Sequence, residues 1–317
     1  MCIRDRNNVG KVKNTGVEIS LSTVNVQTKN FYWSTTFSFA KNKNEILELN
    51  GGKEDLIANK WFIGQPIDVI YDYEYAGVCT AEEAKAYATN DAIKTKFIEG
   101  EMKLKDQQQP GEEGYGVIDE NDLVVLGHAL PKWTGSVTSN MTYKNFDFSF
   151  SIYTKQGGMV ESPFMAEFTN YKDRGRNKLK MDYYIPAGTP VLNADGSGYT
   201  LTTEAHMGAY PYPTNTANNN YGGGIGWGTD KQTTYVGNSY VNNSFVKIKN
   251  ITLGYTFPKS WMSKVGVDHL RLYVNVLNPF TFTSYKGFDP EWAEAALNDG
   301  TGGPSSRTYQ VGVNLKF

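Results

Sequence analysis

The sequence contains little cysteine and little histidine. Its two cysteines among 317 residues, Cys2 and Cys79, give neither a disulfide framework nor the paired spacing of a zinc site. Its three histidines, His128, His206 and His269, lie far apart along the chain, so a metal site or a nucleophile built on histidine is not expected. These residue types predict no cofactor.

Net charge and long apolar runs are also missing. The 31 lysines and arginines nearly balance the 33 aspartates and glutamates, and the net charge of −2 gives no basic stripe for nucleic acid. Mean hydropathy is −0.48, and no apolar run approaches the roughly 18 residues of a membrane-spanning helix. A helical membrane protein is thereby excluded. A β-barrel is not, because its strands are apolar only at every second residue.

The first six residues, MCIRDR, share no pattern with the sequence that follows them. They lack the apolar stretch of a signal peptide. We expect residues 1–6 to be a non-native head or an assembly scar, and residues 7–317 to be the part that folds.

Aromatic residues are abundant, at 14% of the chain with 21 Tyr and 16 Phe, and many lie in segments of alternating hydrophobicity. In the first segment Val17, Ile19 and Leu21 face one way, whereas Glu18 and Ser20 face the other. A period of two over about ten residues is typical of a tilted membrane-spanning strand. Seven segments follow this pattern: residues 16–27, 31–41, 134–143, 145–154, 244–257, 270–282 and 306–317.

The same alternation would suit a soluble β-sandwich, whose apolar faces form a core. Two features favour a barrel: aromatic residues at strand ends, as in interfacial girdles, and connections of very unequal length. The turns at 28–30, 144–145 and 258–269 are short, whereas other connections run to dozens of residues. If the chain ends in the periplasm, every short turn is periplasmic and every long loop is outside. If residues 64–75 formed a single additional spanning strand, the short turns and long loops would no longer fall on opposite sides. We therefore expect this segment above the membrane or against an unseen partner.

An ordered set of motifs resembles the C-terminal part of the SusC/RagA-type TonB-linked outer-membrane transporters. Each motif alone is weak, but their order along residues 7–317 is specific, apart from the variable stretch 159–242. The matching stretches are NVGKVKNTGVEISL, FYWSTTFSFAKNKNEILEL, WFIGQPIDVIYDYEYAGV, GVIDENDLVVLGHALPKWTGSVTSNMTYKNFDFSFSIYTKQGG, FVKIKNITLGYTFP, LRLYVNVLNPFTFTSYKGFDPE and RTYQVGVNLKF.

This resemblance implies an all-β fold, the C-terminal portion of a 22-stranded antiparallel transmembrane β-barrel with long extracellular loops. It implies an outer-membrane nutrient importer of a Gram-negative bacterium that takes up oligosaccharides, or in some members peptides. The implied partners are a SusD-like surface lipoprotein, TonB acting through an N-terminal plug without counterpart here, and outer-membrane lipid. No enzymatic activity is implied. The alternatives are a siderophore or cobalamin receptor, and a secreted β-sandwich that binds glycan.

The last strand has a further expected role in barrel assembly. An extended, alternating terminus can add to an exposed sheet edge, so we expect it to be recognised by the barrel-assembly machinery. The alternative is an ordinary edge strand that happens to end in phenylalanine. The residues of this signal are Tyr309, Val311, Val313, Leu315 and Phe317.

Two loop regions contain candidate binding residues. Asp119, Asn121 and Asp122 are weak candidates for calcium ligands, because an EF-hand loop needs more oxygen ligands than this turn offers and a solvated acidic turn is the preferred interpretation. Tyr210, Tyr212, Tyr221 and Trp227 lie in a loop rich in Gly, Asn and Pro, and their rings could stack on the C–H faces of sugars. Alternatively, these rings pack the loop on itself or against the lipoprotein.

Two further motifs have expected places but no expected chemistry. The segment TAEEAKAYA predicts a short helix, with Thr80 as its N-cap and Glu83 completing a capping box. The segment FDPE, residues 288–291, is typical of the family in the loop before the last strand, but the sequence suggests no chemical role for it.

Overall fold

The computed structural model describes residues 10–162, 181–210, 240–293 and 305–317. The expected head, residues 1–6, lies outside them. The strands are β1 Gly10–Gln27, β2 Phe31–Leu49, β3 Val69–Tyr73, β4 Tyr75–Val78, β5 Met102–Leu104, β6 Leu123–His128, β7 Trp133–Tyr143, β8 Phe146–Gln156, β9 Met159–Glu161, β10 Pro190–Leu192, β11 Tyr199–Leu201, β12 Tyr240–Asn242, β13 Phe245–Thr256, β14 His269–Thr283 and β15 Thr308–Lys316. The helices are α1 Ala81–Thr89 and α2 Lys259–Met262, and 3-10 turns cover Ile57–Asn59, Glu120–Asp122, Ser263–Val265 and Pro290–Trp292.

Seven of these strands form one large sheet in the order β1-β2-β7-β8-β13-β14-β15. Every neighbouring pair in it is antiparallel. These are the seven segments that alternation predicts, so that prediction is confirmed strand by strand. We call this sheet the wall.

The connections of the wall are short at one end and long at the other. At the short end, Lys144 takes a left-handed conformation (φ 51°) in the turn between β7 and β8, and its N–H donates to the carbonyl of Asn30 in the neighbouring turn (2.8 Å). At the other end are three long connections, residues 50–132, 157–244 and 284–307. The predicted asymmetry of the connections is confirmed.

One face of the wall is apolar and open to its surroundings. The strand register aligns apolar side chains across six strands, in the row Trp33, Met141, Phe148, Leu253, Val274 and Val311. Leu253, Val274 and Val311 are about half exposed or more. Within the described residues no second sheet packs on this face, whereas a β-sandwich would bury it against one.

The opposite face of the wall is polar and its side chains pair with one another across strands. Ser22 and Thr36 lie 3.1 Å apart through their hydroxyl oxygens. Further along the wall, Thr252 Oγ1 donates to Asn275 Oδ1 (3.0 Å), and Asn275 Nδ2 donates to Gln310 Oε1 (2.9 Å). Such a face suits a water-filled or protein-filled lumen.

The long connections carry the remaining strands as two-stranded ribbons. These pairs are β3 with β6, β4 with β5, β9 with β12, and β10 with β11. Residues 64–75 contribute β3 to one such ribbon and do not form a strand of the wall, as expected, and their place above the membrane stays a prediction. The predicted helix is confirmed as α1, with its capping box between Thr80 and Glu83. None of the described helices has the length and apolarity to cross a membrane.

Small buried clusters hold these ribbons together. One contains Tyr73, Met102 and Leu104, and joins the two ribbons of the first long connection, residues 50–132. The other contains Val160, Tyr285 and Ala293, and joins the second and third long connections. The hydrophobic core of the described chain therefore lies at the long-loop end, because the apolar face of the wall has nothing packed on it.

Candidate functional site

A buried ion cluster lies where the polar face of the wall meets the long loops. The Lys247 side chain on β13 is fully buried, and its Nζ donates to both carboxylate oxygens of Asp289 at 3.0 Å. It also donates to Glu291. Next to it, Lys249 Nζ donates to Glu291 Oε1 (2.7 Å) and Oε2 (2.9 Å). We call these four residues the clasp.

The clasp fastens both described ends of the third long connection. Asp289 Oδ1 accepts the N–H of Glu291 (3.0 Å), and its Oδ2 accepts the N–H of Ser305 just before β15 (3.0 Å). Burial opposes ionisation of Asp289, but hydrogen bonds from Glu291 N–H and from Lys247 outweigh it and lower the pKa. For Glu291 the bonds from both lysines likewise outweigh burial and lower its pKa. Both carboxylates are therefore ionised partners of the lysines.

The sequence does not reveal this cluster. Residues 288–291 are typical of the family but suggest no chemistry in the sequence, and in the structure Asp289 and Glu291 form the acidic half of the clasp. The available signal was a pair of lysines, Lys247 and Lys249, in a strand whose other residues are all uncharged. Lysine is almost never fully buried unless it is paired, so such a pair needs acidic partners elsewhere.

A second ion pair crosses the wall below the clasp. Arg271 Nε donates to Asp147 Oδ1 (2.9 Å), although β13 runs between their strands. Gly254 of β13 leaves the space, since a Cβ there would lie 2.4 Å from Asp147 Oδ1 and 2.6 Å from Arg271 Nη2. The pair therefore ties three strands together on the polar face.

Of the four predicted loop aromatics, the structure describes Tyr210 alone, and Tyr212, Tyr221 and Trp227 lie outside the described residues. The Tyr210 ring lies 6.3 Å from that of Tyr183, edge to face. Beside it, Tyr75 Oη donates to the carbonyl of Ala209 (3.0 Å). Burial raises the pKa of Tyr75 and of Tyr183 to about 12, so both hydroxyls keep their protons.

A groove of about 420 Å³ lies beside this tyrosine cluster. It is lined by Tyr73, Glu74, Tyr75, Val124, Val125, Leu126, Met159 and Tyr240. Its polar groups are already oriented: Glu74 accepts from Lys105 (2.9 Å) and Gln107 (3.1 Å), and Tyr240 donates to Asp72. Aromatic faces beside fixed polar groups suit a small polar ligand with apolar surfaces.

The aspartate oxygens of the acidic turn at 119–122 accept backbone N–H groups, both within the turn and from Gln107. Asp122 is fully buried, and its carboxylate accepts the N–H groups of Gln107 (2.7 Å) and Asp119 (2.8 Å). Asp119 Oδ1 accepts the N–H of Asn121 (2.8 Å). The turn is thus partly buried rather than solvated throughout. Across the described ranges no group of three or more His, Cys, Asp or Glu residues is arranged to hold a metal ion.

The last strand, β15, is an edge of the wall. It pairs with β14 on one side and has no partner strand on the other within the described residues. Tyr309, Val311 and Phe317 are each more than two thirds exposed, and Val313 and Leu315 share their face. The structure brings the five residues of the expected assembly signal together as one apolar stripe along this edge.

Comparison with known proteins gives relatives over nearly the whole chain, although no family model matches it. The TonB-dependent receptor P3 of Formosa agariphila is 29% identical over 98% of this chain and 29% of its own length. The TonB-dependent receptor SusC of Bacteroides thetaiotaomicron is 27% identical over 98% of this chain and 27% of its own length. The chain thus spans less than a third of the length of these curated relatives.

Solved structures show the same fold. The structure of the RagAB peptide transporter matches with a TM-score of 0.65 and 22% identity, over 98% of this chain and 30% of that one. The RagAB peptide importer in its open-open state matches with a TM-score of 0.59 and 21% identity. The wall is part of the barrel of this fold, and the outer membrane is its location. The resemblance of the chain to the SusC/RagA-type TonB-dependent receptors is therefore confirmed over 98% of its length.

Proposed function

We propose that the chain forms part of an outer-membrane nutrient importer, supplying barrel wall and extracellular vestibule. The observation that carries the proposal is the wall itself, with a continuous apolar row on one face and paired polar side chains on the other. Such a sheet has a face for lipid and a face for a lumen. The chain performs no catalysis in this proposal, which agrees with relatives that are named receptors and transporters rather than enzymes.

The proposed partners act at opposite ends of the wall. A SusD-like lipoprotein covers the long-loop end, and TonB supplies energy from the periplasm through a plug in the rest of the receptor. The barrel-assembly machinery receives the β15 edge. These partners rest on the family resemblance, and the position of the long connections at one end of the wall supports the first of them.

The proposed substrates are oligosaccharides, with peptides as the second candidate. The groove beside Tyr75 and Tyr240 supports both, because tyrosine faces stack on sugars and also pack on peptide side chains. The structural neighbours are the RagAB peptide transporter and the RagAB peptide importer, which supports the second class. A siderophore or cobalamin receptor remains the alternative within transport.

Uptake by the producing bacterium tests the proposal. The gene for the full receptor would be deleted, and growth would be measured on oligosaccharides or on peptides as the main nutrient, with replete iron and cobalamin. We expect loss of growth on one nutrient class and its recovery when the intact gene is returned. If the deletion strain grew poorly only when iron or cobalamin was limiting, the receptor would instead be a siderophore or cobalamin receptor.

Membrane extraction tests the location without reference to substrate. Because the apolar row faces lipid, the full receptor should stay in the membrane pellet in alkaline carbonate and in high salt, and should be released by detergent. Release by carbonate alone would contradict a wall that spans the outer membrane.

A further inference from the structure

Two of the long connections meet at one tight turn. Tyr184, in the second long connection, is buried, and its Oη donates to Glu99 Oε1 (3.0 Å) in the first. Its ring packs on Gly100, where a Cβ would lie 2.4 Å from a ring carbon. Gly100 also has a left-handed conformation (φ 84°) that glycine adopts readily. We call this contact the loop junction.

The turn under Tyr184 contains a buried carboxyl group with one of its oxygens unpartnered. Glu101 is 2% exposed, and its Oε2 accepts the N–H of Ile98 (2.8 Å). Its Oε1 is buried and has no hydrogen-bond partner among the described residues. A buried carboxylate without a cation is costly, whereas a protonated carboxyl loses much less on burial.

The charged groups nearby do not neutralise Glu101. Lys103 pairs with Glu83 (2.5 Å), and Glu99 is bound by Tyr184. Cys79 is a further titratable neighbour among the described residues: its backbone N–H donates to the Glu101 carbonyl (2.7 Å), and its thiol is buried. Burial raises the pKa of that thiol to about 11, so it supplies no charge near neutrality.

We propose that Glu101 makes the loop junction pH-sensitive: the junction is closed while the Glu101 carboxyl is protonated, and it loosens when that carboxyl ionises. The inference rests on the proposed function only for its consequence, which is that pH regulates how the two long connections frame the vestibule. Opening of the turn would give Glu101 access to water and would release the ring of Tyr184 from Gly100.

The direction of the effect follows from burial. Burial raises the pKa of Glu101 to about 7, so the closed junction retains a proton that an exposed glutamic acid loses near 4.5. The stabilisation is fully present below pH 4.5 and is lost as the pH rises through 7. If opening fully exposes Glu101, the opening equilibrium constant should be about 30-fold larger at pH 8 than at pH 5.5.

Hydrogen exchange of the detergent-solubilised full receptor tests the proposal, with rates corrected for the intrinsic effect of pH. The N–H groups of Cys79 and Gly100 hold the turn to its neighbouring strand and report its opening. In the wild type, exchange of peptides covering residues 76–104 should accelerate beyond the intrinsic rate between pH 5.5 and 8. Peptides covering residues 181–189 should follow, because Tyr184 docks on the same turn.

The variant Glu101→Gln keeps the shape of the side chain but removes its titration. We expect its exchange to be independent of pH after correction, whereas the exposed control Glu113→Gln should behave as the wild type. A pH response that persists in Glu101→Gln would overturn the proposal, and so would a wild type without any response. Since no substrate is present, failure of this experiment is distinct from failure of the proposed transport function.

Discussion

At the scale of single residues, the clasp makes the sharpest prediction. Replacing Lys247 by Met would leave Asp289 buried without its cation and Glu291 with Lys249 alone. Breaking a buried ion pair from one side costs about 3–5 kcal/mol, because the remaining charge is uncompensated. We expect a clear fall in the thermal midpoint of the folded receptor, measured as the temperature at which its compact form is lost in gel electrophoresis.

Lys249→Met is the matched control, because Lys249 is about one third exposed and its removal leaves Lys247 with both carboxylates. Its effect should be less than half that of Lys247→Met. Equal effects of the two variants would show that burial of Lys247 is not what makes the clasp stabilising.

A second prediction at this scale concerns Gly254, where the absence of a side chain leaves room for the Arg271–Asp147 pair. In Gly254→Ala the new methyl group would meet the Arg271–Asp147 pair, both of whose side chains would have to move. We expect a loss of about 1–3 kcal/mol, typical of overpacking, in the free energy of unfolding by urea in a detergent or lipid in which the receptor refolds. The control Gly52→Ala, where the nearest atom to a Cβ is 3.8 Å away, should be nearly neutral. A neutral Gly254→Ala would mean that the pair does not need this gap.

At the scale of elements, the last strand is the one with an expected role outside the fold. If the stripe on β15 is recognised during assembly, Phe317→Ala should lower the amount of receptor inserted in the outer membrane several-fold, because an exposed aromatic side chain is lost from the added edge. The measurement is the folded fraction in isolated outer membranes. The neighbouring change Lys316→Ala should leave that fraction unchanged, and an equal loss in both variants would indicate a simple effect on strand stability.

The elements also differ in how far the sequence predicts them. The seven wall strands are predicted well because alternation is a local property and each strand is long enough to show it. Helix α1 is predicted because both members of its capping box lie three residues apart. The short ribbons, such as β4 with β5, are not predicted, because strands of three or four residues contain no measurable period and depend on packing around Tyr73 and Met102.

At the scale of the whole molecule, the two faces of the wall should respond differently to charge. Leu253→Lys places a cation on the apolar row and should destabilise the folded receptor by about 2–4 kcal/mol if that position lies near the bilayer centre. Its neighbour Thr252 points to the polar face, so Thr252→Lys should cost much less. Unfolding by urea in lipid vesicles gives both values, and the reverse order would mean that the faces are assigned the wrong way round.

The sequence by itself determined the strands of the wall, their antiparallel order, the face each side chain occupies and the end at which the long loops lie. Each of these follows from the two-residue period of hydrophobicity within a strand, the lengths of the turns and the alternating direction of successive strands. Only the tertiary structure decided which distant groups meet: Lys247 with Asp289, 42 residues away, and Tyr184 with Glu99, 85 residues away. The physical reason is that such contacts depend on how long connections fold back over the wall, and no local pattern in a chain encodes that path.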